Sequence, residues 1–381
     1  MKYCPECGKE LVTQKFCAEC GADISKYTNG GSTSIFDALD FSFLHAEAQN
    51  QLNEQNEKEA MDRFCQKAQV SGTTLVKYNG FDEKVEIPSN ITYIGEKAFF
   101  ANKTLKSIKI PKSVEKIGTT AFYQCENLSE LIIEERLKNI GLGAFQCCMN
   151  LKKVVIPNGV TVIEDGAFTA CIKLSNISLP QTLNVLGNNA FCGCRELTRI
   201  TIPNDIKRIG KEAFSDCYRL KEIDLPNNLT AIGERAFYFC YDLVQIRIPQ
   251  SVTEIGERAF YDCRALMRID LPRGLKAINN DTFYNCWEIC EISIPGSVKR
   301  IGERAFYNCK RLGNLKIEDG VEEICKNAFA CCESLGTVTI PRSVNYIGES
   351  IFSCCNSIRS VYVPKGKGFK YIAGRVIATE Y

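Results

Sequence analysis

Four cysteines near the start of the sequence have the spacing of a metal site. Cys4 and Cys7 form one C-x-x-C pair, and Cys17 and Cys20 form a second. Two such pairs can place four thiolates at the corners of a tetrahedron around Zn²⁺. Four cysteines close the coordination shell, so we predict one structural Zn²⁺ in residues 1–24. Iron held by the same ligands is the alternative.

The other residues that carry catalytic chemistry are scarce. His45 is the one histidine, so catalysis by Ser/His/Asp or Cys/His groups, which needs an imidazole beside its partner, is disfavoured. Cysteines outside the regular pattern leave a redox role as the alternative, and Cys192 with the ladder residue Cys194 could form a redox pair. No histidine or basic cluster near them would lower a thiol pKa. We therefore predict that the chain is not an enzyme.

Composition and charge restrict the partners and the compartment. The 381 residues are 45% hydrophobic and carry a net charge of +2. No apolar run is long enough for a signal peptide or a membrane span, so we predict a cytoplasmic protein whose 22 cysteines are thiols or metal ligands. Residues 1–24 hold three lysines against four acidic residues, which disfavours a nucleic-acid partner.

A phenylalanine recurs every 23 residues, twelve times without an insertion. Alanine precedes it in ten cases, and cysteine follows three residues later in eleven. Such a unit cannot bury its apolar face alone, whereas stacked copies can, so the interval predicts a solenoid with a ladder of buried, unreactive thiols. The phenylalanines are Phe99, Phe122, Phe145, Phe168, Phe191, Phe214, Phe237, Phe260, Phe283, Phe306, Phe329 and Phe352.

Each unit divides into three parts. The stretch "LKSIKIP" alternates apolar and polar residues, which predicts a short strand that proline ends. The stretch "SVEKIG" predicts a second extended piece or a turn, and "ERAFYNC" predicts one or two helical turns because helix formers predominate. The fold class is therefore an α/β repeat solenoid with a parallel sheet on one face.

The repeated words "IGERAFYNCKRLGNLKI", with "IP" closing the strand, resemble the BspA-type leucine-rich repeat over about residues 85–363. The resemblance implies a right-handed, curved solenoid and a binding role, often at cell surfaces. The cysteine pairs of residues 1–24 resemble a bacterial zinc ribbon of the kind appended to unrelated proteins.

Four segments follow from these patterns. Residues 1–24 form the zinc ribbon, and 25–72 hold a linker and one or two helices within 35–69, capped by Thr33 or Ser34. Residues 73–363 form the solenoid. Residues 364–381 form a C-terminal cap, whose apolar residues are Tyr371, Ile372, Val376 and Ile377.

A stripe of tyrosine and arginine is the predicted binding site, because both residue types are enriched at binding hot spots. Tyrosine directly follows the phenylalanine in four consecutive repeats, and arginine stands three residues before three of these tyrosines. We predict an intracellular scaffold for a protein or peptide partner, with the ribbon as a docking module. A nucleic-acid-associated regulator and a cell-surface binding protein are the alternatives. The stripe consists of Tyr238, Tyr261, Tyr284, Tyr307, Arg235, Arg258 and Arg304.

The charged, outward positions of the predicted strands are the competing surface. Basic residues such as Arg199 and Arg247 alternate with acidic residues such as Glu222 and Asp270. Interleaved signs do not make a groove for nucleic acid, but they suit a protein partner or a merely solvated face.

Overall fold

The computed structural model describes residues 42–367 and 379–381, which fall into two units that divide between residues 66 and 67. The predicted zinc ligands Cys4, Cys7, Cys17 and Cys20 and the predicted caps Thr33 and Ser34 lie outside the described residues. No helix in the described part of the chain is both long and apolar enough to cross a membrane.

Within the described residues, the first unit contains the helix α1 (Ser42–Cys65). Its sequence is rich in Glu, Gln and Ala, which favour helix, and the carboxylate of Glu59 lies 3.9 Å from the guanidinium of Arg63 one turn later. The side chains from residue 52 to 60 are exposed, as expected for a stretch that is polar all round. In the segment predicted to hold one or two helices, the residues from 42 onward, which the structure describes, contain one.

The second unit opens with an antiparallel hairpin of Ala68–Ser71 and Thr74–Tyr78. Gly72 turns the chain with a φ of +59°, which only glycine adopts without cost. The predicted boundary between residues 72 and 73 falls on this turn. From here each coil of the solenoid adds a long strand, a short strand and a series of turns, and these stack as three columns.

The long-strand column comes from the alternating stretches. Ile108 and Ile110 are fully buried while Lys109 between them is half-exposed, and Ile108 pairs in parallel with Leu131 one coil later. The pairing breaks into short sheets, and near Arg268 it reduces to one isolated bridge. Its strands are Lys84–Glu86, Ser107–Ile110, Glu130–Ile133, Lys153–Val155, Asn176–Ser178, Arg199–Thr201, Glu222–Asp224, Gln245–Ile246, Glu291–Ile294, Asn314–Ile317, Thr337–Thr339 and Ser360–Val363.

The short-strand column comes from the "SVEKIG" stretches, so the extended alternative predicted for them is confirmed. Each strand is two residues long, and the strands pair in parallel within three successive sheets, as Ile117 does with Ile140. The solenoid therefore has two parallel columns where one was predicted. The strands beyond Thr74–Tyr78 are Tyr93–Ile94, Lys116–Ile117, Asn139–Ile140, Val162–Ile163, Val185–Leu186, Arg208–Ile209, Ala231–Ile232, Glu254–Ile255, Ala277–Ile278, Arg300–Ile301, Glu323–Ile324 and Tyr346–Ile347.

The turn column corrects the helix predicted for "ERAFYNC", so the repeat is a β-solenoid of the leucine-rich-repeat type. The N–H of Tyr261 bonds the carbonyl of Arg258 within its coil, but the N–H of Phe260 bonds Thr282 of the next coil at 2.9 Å. Alternate N–H groups thus leave the coil, whereas a helix would direct all of them to its own carbonyls. Arg258 and Asp262 accordingly have φ values of +56° and +57°.

Glycine before the turns allows neighbouring coils to approach each other. A Cβ on Gly256 would lie 2.4 Å from the backbone nitrogen of Glu234 in the preceding coil. The φ of Gly256 is not positive, so it is the close approach of two backbones that requires glycine here.

Two ladders fill the core behind the turns. The twelve phenylalanine rings are buried and stack from coil to coil, with centroids 4.8 to 5.9 Å apart. The eleven ladder cysteines are buried, as predicted, and each thiol donates to the carbonyl oxygen of a phenylalanine in the preceding coil. In one example, Cys240 Sγ lies 3.2 Å from the oxygen of Phe214. Cysteine thus supplies a donor as well as small apolar volume.

The C-terminal end is described in part. Thr379–Glu380 pairs in parallel with Ser360–Val363, and the Tyr381 hydroxyl donates to the carbonyl of Ile340 at 3.0 Å. These contacts return the chain end to the long-strand column. The predicted cap residues Tyr371, Ile372, Val376 and Ile377 lie outside the described residues.

Candidate binding surface

The four predicted tyrosines form a continuous stack, which we call the tyrosine ladder (Tyr238, Tyr261, Tyr284 and Tyr307). Ring centroids of successive members lie 4.9, 4.6 and 4.8 Å apart, and the rings of Tyr261 and Tyr284 are within 2° of parallel. Because each tyrosine occupies the same place in its coil, the 23-residue register sets the spacing. All four side chains are half-buried.

The phenol groups of the ladder stay protonated over the physiological range. Burial raises the pKa of Tyr238 and Tyr284, and burial together with the neighbouring phenol of Tyr284 raises the pKa of Tyr261 to about 12. A hydrogen bond to Cys331 is the main cause that raises the pKa of Tyr307 to about 12. The surface therefore presents a row of neutral hydroxyls.

The three predicted arginines lie beside the ladder, but their charges are already matched. Arg258 and Arg304 both bind the carboxylate of buried Asp281, with N–O distances of 3.2 and 2.9 Å. Arg235 lies 3.3 Å from Glu212 and also covers the ring of Tyr238 at 5.8 Å. These arginines therefore brace the ladder, and little of their charge is left for an anionic partner.

A second ladder runs beside the first, on the residues four positions after each phenylalanine. We call it the cation–aromatic ladder (Arg195, Tyr218, Tyr241, Arg264, Trp287 and Lys310). The rings of Tyr218 and Tyr241 are 5.1 Å apart, and the guanidinium of Arg264 lies between the rings of Tyr241 and Trp287, 4.6 Å from each. The interval of 23 residues was the available signal, but the change of residue type along the ladder obscured it.

Short polar side chains follow the ladder tyrosines by one residue in three of the coils. Asp262 is buried, accepts from Arg264 at 2.7 Å and accepts from Asn285 at 3.2 Å. Asn308 in turn donates to Asn285 at 2.8 Å. In the coil of Tyr238 the equivalent position, two residues after the repeat phenylalanine, holds Phe239, whose ring lies 4.1 Å from that of Tyr238. Hydrogen bonds among these side chains and to Arg264 thus stabilise the surface beside the rings.

The thiols considered for redox chemistry lack the required environment. Burial raises the pKa of Cys192 to about 11, and Cys194 is a buried ladder residue. A reactive thiol needs the opposite shift. No group of three or more His, Cys, Asp or Glu side chains within residues 42–367 and 379–381 could hold a metal ion.

The charged face of the long-strand column is largely self-neutralised. Arg199 lies 3.3 Å from Glu222 and 3.0 Å from Asp224, and Lys109 lies 3.0 Å from Glu134. A shallow groove of about 600 Å³ opens where the strand pairing breaks. Its lining residues are Gln250, Ile269, Asp270, Leu271, Arg273, Ser293, Pro295 and Glu318.

Comparison with known sequences gives one family. The profile described as the BspA type leucine rich repeat region, which spans six copies of the repeat, matches residues 78–198, 138–267, 184–310 and 276–378. These overlapping matches take in both ladders and nearly all of the second unit. Among curated proteins, none matches the chain.

Two solved structures are similar to the solenoid. A leucine-rich repeat protein from Bacteroides ovatus is 28% identical, with a TM-score of 0.61 over 81% of this chain and 94% of that one. A leucine-rich cell surface protein from Faecalibacterium prausnitzii is 27% identical, with a TM-score of 0.50 over 78% of this chain and 88% of that one.

Proposed function

Since the chain belongs to the BspA type leucine rich repeat family, we propose that it is an intracellular scaffold whose tyrosine ladder binds a protein or peptide partner. Proteins of this repeat class are binding scaffolds and not catalysts. The observation that carries the proposal is the stack of four half-buried tyrosines held by matched charges. Large, rigid aromatic side chains with polar tips are the residues that dominate binding free energy at interfaces.

Removal of two central rings is expected to abolish partner capture. The double substitution Tyr261→Ala and Tyr284→Ala deletes the middle of the ladder, so we expect recovery of the main partner from cells of the source organism to fall at least about tenfold. The measurement is affinity capture followed by quantitative mass spectrometry.

The matched control is Arg199→Ala with Arg247→Ala on the long-strand column, which should leave recovery unchanged. Circular dichroism of both variants checks that the solenoid is intact. A folded ladder variant that still recovers the same partner would place binding elsewhere, and the groove near Asp270 would then be the next surface to test.

The zinc ribbon is proposed as a separate docking module. Four cysteine thiolates are a donor set that suits tetrahedral Zn²⁺, and they would hold the metal structurally. We expect one zinc per chain by elemental analysis and no zinc after Cys7→Ser, with the thermal transition of the solenoid unchanged. Zinc that persists after replacement of all four cysteines would contradict the assignment.

A cell-surface location is the second candidate, because the similar protein from Faecalibacterium prausnitzii is described as a cell surface protein. The many buried thiols favour a reducing compartment. Fractionation of the source cells, with protease treatment of intact cells, distinguishes the two locations.

A further inference from the structure

The tyrosine ladder offers hydrogen-bond donors that the protein does not use. No residue within 42–367 or 379–381 bonds the hydroxyls of Tyr238, Tyr261 or Tyr284, and these atoms are not among the buried polar atoms without a partner. They therefore reach solvent as free donors. The ligand should therefore be rich in acceptors.

The faces of the central rings are not available to a ligand. Each ring of Tyr261 and Tyr284 is covered on both sides by a neighbour less than 5 Å away. A nucleobase needs an open ring face on which to stack, and so does a sugar ring. The outward parts are ring edges, which carry partial positive charge, and hydroxyls. Both attract carbonyl oxygens.

The spacing of the ladder selects among peptide conformations. One turn of a polyproline II helix advances about 9.3 Å. The two ladder steps from Tyr238 to Tyr284, 4.9 and 4.6 Å, match it closely. Side chains on one side of a β-strand recur every ~6.7 Å, and one turn of an α-helix advances ~5.4 Å. Neither distance matches one or two steps of the ladder. Polyproline II also leaves its carbonyl groups without internal partners.

We propose that the tyrosine ladder binds a proline-rich segment of a partner protein in the polyproline II conformation, laid along the solenoid axis. This inference rests on the proposed function and specifies its partner. The Tyr238 and Tyr284 hydroxyls, which are two ladder steps apart, donate to carbonyl groups about one peptide turn apart, and proline rings pack on the exposed edges. The ring of Phe239 closes the surface at one end.

The test uses a fluorescein-labelled decaproline peptide and the full chain, followed by fluorescence anisotropy. Decaproline offers carbonyl acceptors and has almost no N–H donors, so it matches a donor surface. Tyr238→Phe with Tyr284→Phe keeps both rings stacked but removes the two hydroxyls that are one peptide turn apart. We expect binding to the wild-type chain and about tenfold weaker binding to this variant, as expected for two lost hydrogen bonds.

Tyr123→Phe is the matched control. The Tyr123 ring stacks on that of Phe100, with centroids 5.2 Å apart, and it is not part of the tyrosine ladder. This variant should bind decaproline like the wild type. Labelled decamers of Gly-Ser and of an Ala-rich helical sequence should bind weakly or not at all. Equal affinity of the wild type and the double Phe variant would overturn the proposal. So would a single-stranded oligonucleotide that displaces decaproline from the ladder.

The proposed function and this inference can fail separately. If the double Ala variant loses its cellular partner while decaproline does not bind the wild type, the proline-rich assignment is wrong and the ladder remains the binding surface. If the double Ala variant keeps its cellular partner, the proposed function is wrong at this surface, whatever decaproline does.

Discussion

The solenoid is expected to unfold when the pH is raised from about 8 to about 11. Burial raises the pKa of ten ladder thiols above the ordinary value of 9.0, that of Cys125 to about 12. In the unfolded chain the same thiols ionise near the ordinary value. The ten are Cys125, Cys148, Cys171, Cys194, Cys217, Cys240, Cys263, Cys286, Cys309 and Cys332.

The direction follows from proton linkage. Above about pH 9 the unfolded chain loses protons that the folded chain retains, so the free energy of unfolding falls as pH rises. The stability that the protonated thiols contribute is fully present below the pKa of the unfolded chain. It is lost as the pH rises through the pKa values of the folded chain. Each thiol contributes about 1.4 kcal/mol per pH unit, and ten contribute up to about 14 kcal/mol per pH unit. A whole domain is stable by only ~5–15 kcal/mol.

Urea unfolding at several pH values, in the presence of a reductant, measures this slope. The control is Cys217→Ser with Cys240→Ser and Cys263→Ser. Serine can still donate to the phenylalanine carbonyl but does not ionise, so the slope should shrink by about 4 kcal/mol per pH unit. An identical slope in the triple variant would show that alkaline unfolding has another cause, such as lysine deprotonation.

Phe237→Ala is expected to cost about 3–5 kcal/mol of unfolding free energy. The ring is fully buried, and its centroid lies 5.6 and 5.3 Å from those of Phe214 and Phe260. The cavity cannot close, because the Phe237 N–H is bonded to the carbonyl of Ala259 in the next coil at 2.8 Å. Neighbouring rings are held by equivalent bonds.

Equilibrium unfolding of Phe237→Ala and Phe239→Ala compares the unfolding free energy lost with a core ring and with a surface ring. Phe239 is the same residue type two positions later, but it is half-buried among the ladder rings. Its loss should cost about 1 kcal/mol, close to the value of an aromatic contact. Similar losses for both variants would mean that the core relaxes around the missing ring.

The repeat interval predicts the fold because equivalent apolar residues need only be buried on one another, whatever the local backbone conformation. Phe260 and Cys263 recur at one spacing, and any stack of equal coils places each below its copy. The turn column was not predictable in the same way. Arg258 carries no sequence signal for positive φ, and the preference of aspartate for that region at Asp262 is opposed by helix formers around it, which suggest a helix. Bonds to the next coil, such as that from Phe260, decide the conformation.

The candidate site was likewise predictable from the sequence only in part. The stack of Tyr261 on Tyr284 followed from the register, whereas the role of the arginines did not. Arg258 and Arg304 were expected to reach a partner, and they bind Asp281. Nothing in a local stretch indicates that Asp281 would be buried between them, because the three residues come from different coils.

The common register of all the ladders also determines how the length of the protein can change. Each coil meets the coil before it and the coil after it through the same atoms, so an excision or duplication of 23 residues joins surfaces that already fit, while a change of one residue misaligns every ladder at once. Unequal crossing-over within the gene can therefore add or remove single coils without a new packing solution. Such an event within the aromatic coils would lengthen or shorten the ligand footprint by one rung, and with it the number of partner residues bound.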